Sequence, residues 1–428
     1  MAAAEPIKKV IEIIKSDFSR RFVVVSAPGK KHAKDEKITD ILLECAVQIK
    51  ITGDCPAFEK AEQVFTEIVN GLGLKLDIKG LLKRTKAEMI AANTVDFAAS
   101  RGEYLSANVM AAALGWDFVD GSELIVFSDE GEFLPEETND KCYERLAQVS
   151  NAVIPGFYGM TKGGKIKTFS RGGSDVTGAI VARAAIADLY ENWTDVNGFL
   201  TADPRIIYLP EQINALSYRE LRELSYMGAS VLHEDSVFPV REIGIPINVK
   251  NTFNPENPGT IIVPSLHDSG VDVAPITGIS GKKDYSMLHL EKDQMNTAVG
   301  FARKVLGALE KNGIPFEFMP SGIDTLSLVI ESRYLDKIVI DKIAREIQTA
   351  ANPDLIEITD KMAVIAIVGR NLKYQLDATA KIFDALKKQN IEVRLIDYGS
   401  SGLSIIVGVN NYDFEKAISA IYAELTSR

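Results

Sequence analysis

Through the first 250 residues, helix-like and strand-like segments alternate, and that alternation limits the chain to a few architectures. Ile7, Val10, Ile11 and Ile14 recur at helical spacing over 6–16. The apolar run RFVVVS over 21–26 stops at Ala27-Pro28-Gly29, as a buried strand entering a loop does. Helical patterns follow over 39–51, 57–72 and 76–96. Short strand patterns recur at 117–119, 153–155, 166–169 and 193–195. Strands separated by helices need crossover connections, so the expectation is an α/β sandwich with a largely parallel central sheet.

The grain changes after Lys250. NTFNPENPGT at 251–260 is rich in turn-forming residues and reads as a loop out of the first domain. Beyond it the pattern predicts strand 285–291, helix 298–312, strands 316–320 and 325–331, and helix 334–350. A similar order then returns: strand 362–368, helix 375–389, strands 391–398 and 403–409, and helix 412–425. Met319-Pro320-Ser321-Gly322 in one half answers Gly399-Ser400-Ser401-Gly402 in the other. This is a duplicated ferredoxin-like unit. The domains are expected at 1–265, at 284–358, and at 271–283 combined with 359–428.

Composition removes several function classes. A formal net charge of -11 argues that the chain as a whole is not a polyanion binder, so no nucleic-acid partner is expected and a nucleotide must be held by a local device. Cys45, Cys55 and Cys142 form no CxxC pair, and the four histidines show no metal spacing. No run of 18 apolar residues suggests a membrane span, and MAAAEPIKKV lacks a secretory pattern, so the cytoplasm is expected.

Chemistry concentrates in TFSRGGSDVTGAIVARAAIAD, 168–188. A strand runs into the turn Arg171-Gly172-Gly173, and Ser174 suits the N-cap of an alanine-rich helix. Glycines at such a junction turn backbone N–H groups towards an anion, and the helix dipole adds to this. Arg171 supplies a fork for a carboxylate or phosphate, and Asp175, in the first turn, can take an ammonium. WTDVNGFLTADPRI, 193–206, places Asp195, Asn197-Gly198 and Arg205 after a strand, where α/β sheets bind nucleotides.

SRGGSDVTGA followed by TDVNGFLTADPR resembles the signature of aspartate kinases in the amino-acid kinase superfamily. FAASRGE at 97–103, LSYMGASVLH at 224–233 and INVKNTFNPENPGT at 247–260 are similar to other parts of that family. The paired C-terminal units look like its two ACT domains. Glutamate, acetylglutamate and uridylate kinases, which share the superfamily, lack this doubled unit.

The resemblance implies an amino-acid-kinase-like sandwich followed by two ACT domains. It also implies transfer of phosphate from ATP, with Mg²⁺, to the β-carboxylate of L-aspartate. Arg171 would pair with the α-carboxylate, while Asp175 and Glu103 would hold the ammonium. Thr39, Ser100, Gly102, Gly172, Gly173 and Ser174 would complete the substrate pocket. Ser26, Thr194, Asp195, Leu200, Arg205, Lys250 and Asn251 would surround the nucleotide. Met295, Ala298, Phe316, Glu317, Ser321 and Gly322 match the stretch that contacts a feedback amino acid, lysine or threonine. Two such units would pair across a two-fold axis in a homodimer or homotetramer. The carboxylate nucleophile is ionised at neutral pH, so the absence of a Ser-His-Asp or Cys-His set is expected.

Aspartate kinases carry a Lys-Phe-Gly-Gly-Ser-like loop on an opening strand, and MAAAEPIKKV contains none. The resemblance therefore implies an active natural protein that has this segment. A chain beginning at Met1 is expected to be nearly inert, with an amino-acid sensor of the same fold as the alternative.

Overall fold

The computed structural model describes residues 2–32, 34–170, 172–229, 231–232, 234–266, 276–370, 372, 375–398 and 402–426. They fall into two compact units. One comprises Met1–Phe199, Asn214–Tyr218 and Val231–Gly270; the other comprises Leu200–Ile213, Arg219–Ser230 and Val271–Arg428.

The first unit opens with α1 (Ala4–Lys15), β1 (Phe22–Val25), α2 (Ile38–Thr52), α3 (Phe58–Leu72), α4 (Ile78–Ala92) and α5 (Val95–Leu114). Next come β2 (Asp117–Phe118), α6 (Gly121–Leu124), β3 (Val126–Phe127), α7 (Pro135–Leu146), β4 (Ala152–Pro155), β5 (Tyr158–Thr161) and β6 (Ile166–Thr168). The series closes with α8 (Gly173–Ala184), β7 (Tyr190–Thr194), β8 (Ala215–Ser217), α9 (Tyr218–Tyr226), α10 (Phe238–Arg241), β9 (Ile247–Asn251) and β10 (Thr260–Val263). From Arg219 onward, α9 belongs to the second unit.

Three sheets form here, in the orders β1-β4-β2, β3-β5-β6 and β7-β9-β10-β8. Parallel pairs (β1/β4, β2/β4, β3/β5, β7/β9, β8/β10) outnumber the antiparallel β5/β6 and β9/β10, as crossover helices require. Ile7 and Ile14 of α1 are buried with Leu42, Phe58, Phe65, Met110 and Val153 in one core. Val119, Phe127, Ile154, Val176 and Ile180 form another beneath α8.

The helix expected over 76–96 is in fact two. Asn93, with φ 47°, ends α4 in the left-handed region. Thr94 then caps α5, its side chain accepting from Phe97 N at 3.3 Å. α5 is buried on most sides, so it lacks the apolar stripe that betrays a surface helix.

The second unit contains β11 (Ile276–Glu291), α11 (Phe301–Lys311), β12 (Thr325–Glu331), α12 (Lys337–Ala351) and β13 (Leu355–Gly369). α13 (Leu376–Lys388), β14 (Leu395–Tyr398), β15 (Ser404–Asn410) and α14 (Phe414–Thr426) follow. One antiparallel sheet, β12-β11-β13-β15-β14, runs through both repeats, because β11 and β13 are each long enough to serve the two. Each repeat keeps its own core, one around Leu288, Val305 and Ile347, the other around Ile365, Ile382 and Ile418.

The strand expected at 316–320 does not form. Residues 317–322 instead run as an irregular arm along β12, with bridges only at Phe318 and Ser321. Pro320 has no N–H to give a ladder, and Gly322 N turns back to Thr325 O at 2.8 Å.

Candidate active site

β1 delivers Ser26 and Ala27 at its carboxyl end, and α5 runs directly behind them. Gly102 makes that approach possible. A Cβ there would lie 2.8 Å from Ala27 Cβ and 3.4 Å from Ile38 Cγ2 and Leu42 Cδ1. With the backbones this close, Ala27 N donates to Glu103 Oε1 at 3.1 Å. Glu103 is 6% exposed, and its other oxygen, Oε2, is buried with no hydrogen-bond partner. Burial pushes its carboxyl up to about 7, against the opposing pulls of the Ala27 N–H and the Arg101 guanidinium. Ionised, a carboxylate with one oxygen anchored and one unbonded can accept a cation.

The α8 junction differs from the expectation in one respect. Gly172, left-handed at φ 57°, is the N-cap; Ser174 is already inside the helix, and no side-chain cap bond forms. Gly173 packs so tightly on the β4–β5 turn that a Cβ would lie 2.7 Å from the Phe157 ring, and Phe157 itself holds φ 80°. Ser174 is pressed against Gly156 of the same turn. Asp175 points towards β7: Asn192 Nδ2 donates to its Oδ1 at 2.9 Å, and Tyr190 Oη donates to its backbone oxygen at 3.2 Å. Arg171 lies outside the described residues.

The nucleotide candidates separate into two groups. Thr194 and Asn251 are register partners at the carboxyl ends of parallel β7 and β9, and Trp193 pairs with Lys250 one step earlier. Lys250 Nζ sits 5.1 Å from the Trp193 ring centre, and Thr194 Oγ1 donates to Asp195 Oδ1 at 3.3 Å. Asn251 Nδ2 donates to Asn197 Oδ1 at 2.8 Å. Thus Thr194, Asp195, Lys250 and Asn251 line one sheet end, with Asp195 exposed. Leu200 and Arg205 belong to the second unit. There Leu200 bridges Gln212, and the exposed Arg205 folds back on Asp203 at 3.0 Å.

Thr39 is half-buried in the first turn of α2. Ser100 has its hydroxyl committed within α5, donating to Phe97 O at 2.7 Å and accepting from Arg101. Sequence reasoning passed over Asn192, Tyr190 and Arg101. A polar Asn192 at the buried centre of a strand was the available signal.

In the second unit, Met295 and Ala298 pack against the first-repeat core. Asn296 N donates to Ile323 O at 3.2 Å, bringing this loop beside the turn that holds Ser321 and Gly322. Phe316 is half-exposed at the far end of the arm, and Tyr226 Oη donates to Glu317 Oε2.

No group of three or more His, Cys, Asp and Glu residues with metal-binding geometry occurs among the described residues. Exposed Asp195 beside Thr194 suits a hard cation carried in mainly by phosphate oxygens.

Residues 1–251 match the Amino acid kinase family, and residues 365–425 match the ACT domain family. Aspartokinase 3 of Bacillus subtilis (strain 168) is 34% identical over 99% of this chain and 96% of its own length. The crystal structure of the Clostridium acetobutylicum aspartate kinase shares 47% identity, with a TM-score of 0.88 over 100% of this chain and 97% of that one. E. coli aspartokinase III, crystallised with aspartate and ADP, matches at a TM-score of 0.80 over 100% of this chain and 97% of its own, and at 21% identity it shares the fold. By these matches across its whole length, the chain belongs to the amino acid kinase family and, within it, to the aspartokinases.

Proposed function

We propose that this chain carries out the aspartokinase reaction at the carboxyl ends of β1, β7 and β9 and the amino end of α8. The reaction moves the γ-phosphoryl group of ATP to the β-carboxylate of L-aspartate, giving 4-phospho-L-aspartate and ADP. The observation that carries this placement is the buried Glu103 carboxylate, with Oε1 fixed by Ala27 N–H and Oε2 unbonded.

Each group has a physical task. Glu103 and Asp175 hold the substrate ammonium, the second kept in place by Asn192. Arg171 pairs with the α-carboxylate, and Thr39, Gly172, Gly173 and Ser174 close the pocket, leaving the β-carboxylate as the free nucleophile. Thr194, Asp195, Lys250 and Asn251 receive the nucleotide, with Ser26 beside its phosphates. Mg²⁺ supplies neutralisation of the phosphate charge, which lets two anions approach in line. No general base is required, because the attacking carboxylate is already ionised.

Met295, Ala298, Phe316, Glu317, Ser321 and Gly322 form the effector site, and lysine or threonine is the ligand. E. coli aspartokinase III has been crystallised with lysine and aspartate in a T-state, which supports this choice. The second unit joins two chains as a homodimer, or as a homotetramer built from such dimers. The cytoplasm is the working compartment; among the described residues, no helix is long and apolar enough to cross a membrane.

The test couples ADP release to a dehydrogenase readout, with hydroxylamine trapping the acyl phosphate. Aspartate-dependent ADP release with trapped product is expected, and lysine or threonine should lower it. Effector binding in calorimetry without any aspartate-dependent turnover would instead make the chain a sensor.

A further inference from the structure

β7 carries polar side chains at three alternate positions, Tyr190, Asn192 and Thr194, which therefore share one face. Asn192 is 9% exposed, at a strand centre that ordinarily holds an aliphatic residue. Polar groups buried there are costly unless paired, and Tyr190 and Asn192 are paired to the same residue of α8. Asn192 Nδ2 donates to Asp175 Oδ1 at 2.9 Å and to Tyr190 Oη at 3.1 Å, and Tyr190 Oη donates to the Asp175 backbone oxygen at 3.2 Å. α8 makes room for the phenol with Gly178, three residues beyond Asp175 on the same helical face. A Cβ there would lie 2.5 Å from Tyr190 Oη and 2.9 Å from its Cε2 and Cζ. Burial, and then the Asp175 carboxylate, push the phenol above its ordinary value, so it remains a donor. Another face of α8 is pinned independently, where Thr177 Oγ1 accepts from Phe157 N at 3.1 Å and donates to Gly173 O at 2.7 Å.

We propose that Tyr190 is a positioning residue for phosphoryl transfer, fixing the amino end of α8 against β7 so that the amino acid held there is aligned with the nucleotide held at Thr194. The inference rests on the reading of Asp175 as an ammonium ligand and of Thr194 as part of the nucleotide site. The two buried polar residues of β7 divide the work. Asn192 holds the Asp175 side chain, and with it the affinity for aspartate. Tyr190 holds the backbone of the first turn of α8, which carries Gly173 and Ser174 along with Asp175. Thr194 lies four residues further along the same strand, about 13 Å from Tyr190. One strand therefore sets the separation of the two substrates. In-line transfer tolerates little error in that separation, because a misplacement of about 1 Å can cost about 100-fold in rate. Gly178 acquires a role of its own, since any side chain there would push the phenol off the helix.

The experiment measures kcat and the KM values for aspartate and ATP separately in the full chain, for wild type, Tyr190→Phe, Gly178→Ala and Asp175→Asn, with melting temperatures alongside. Tyr190→Phe keeps the ring against Gly178 and removes the hydroxyl alone. Its kcat should fall roughly 5- to 100-fold, from the loss of one hydrogen bond at the low end to a misplacement of about 1 Å at the high end. Both KM values should stay within about threefold of wild type, because the residues of each pocket move together. Gly178→Ala drives the phenol away from α8 and should show the same split with a lower melting temperature, and it stands in if Tyr190→Phe does not fold. A kcat within about twofold of wild type, or a loss confined to the aspartate KM, would overturn the proposal. Asp175→Asn with wild-type kcat/KM for aspartate would instead dispose of the Asp175 reading, so the two failures are separable.

Discussion

Replacing Gly102 with alanine places a methyl carbon 2.8 Å from Ala27 Cβ and 3.4 Å from Ile38 Cγ2 and Leu42 Cδ1. Carbon atoms rest at about 3.5–4.0 Å, so Ala27 must retreat by about 1 Å. Its N–H now lies 3.1 Å from Glu103 Oε1, near the limit of a useful hydrogen bond, and that retreat breaks it. A hydrogen bond to a charged group contributes about 1.5–3 kcal/mol, which becomes a loss of roughly 10- to 150-fold in kcat/KM for aspartate. The added methyl also overpacks the α2–α5 contact by about 1–3 kcal/mol, so the melting temperature should fall. Initial rates at saturating ATP, with aspartate varied, measure the first effect, and ATP affinity by calorimetry should stay within about twofold of wild type. A Gly102→Ala protein with unchanged kcat/KM for aspartate would refute the claim that this close approach holds the Glu103 carboxylate in place.

Asn192→Ala removes the 2.9 Å bond to Asp175 and should raise the aspartate KM roughly 5- to 30-fold while leaving ATP binding alone; steady-state kinetics check this. Trp193→Ala frees Lys250 from the ring 5.1 Å away and should weaken ATP roughly two- to fivefold with aspartate unaffected. Ser321→Phe should abolish inhibition by lysine or threonine and leave uninhibited turnover intact, as dose–response curves will show. Glu103 also links stability to pH. Its folded value of about 7 lies above the ordinary 4.5, so its contribution is fully present below the ordinary value and is lost as pH rises through the folded one. Unfolding of Glu103→Gln should therefore vary less than wild type between these limits.

Much of this organisation was legible because it is local. The β1 run, the glycine pair before α8 and the repeated order after 276 each follow from neighbouring residues. α5 was hidden for a physical reason: Ser100, Gly102 and a series of alanines serve contacts on several sides, so no periodic stripe survives. Ser174 reads as an N-cap, but close packing of Gly173 on Phe157 draws the helix start back to Gly172. The arm at 317–322 follows β12 with its ladder interrupted by Pro320 and Gly322. Tyr158 reaches Arg101 from β5, and the Trp193–Lys250 contact depends on strand register. Such relations between distant segments leave no trace in spacing.

The central claim is the proposal that Glu103 and Asp175 receive the amino acid while the ends of β7 and β9 receive the nucleotide. Calorimetric titration of aspartate and of a non-hydrolysable ATP analogue into wild type and Glu103→Gln tests it directly. Loss of a buried charge-assisted contact contributing about 2–3 kcal/mol should weaken aspartate roughly 30- to 150-fold, with the nucleotide analogue unchanged. Equal aspartate affinity in the two proteins, or a loss confined to the nucleotide, would contradict the account.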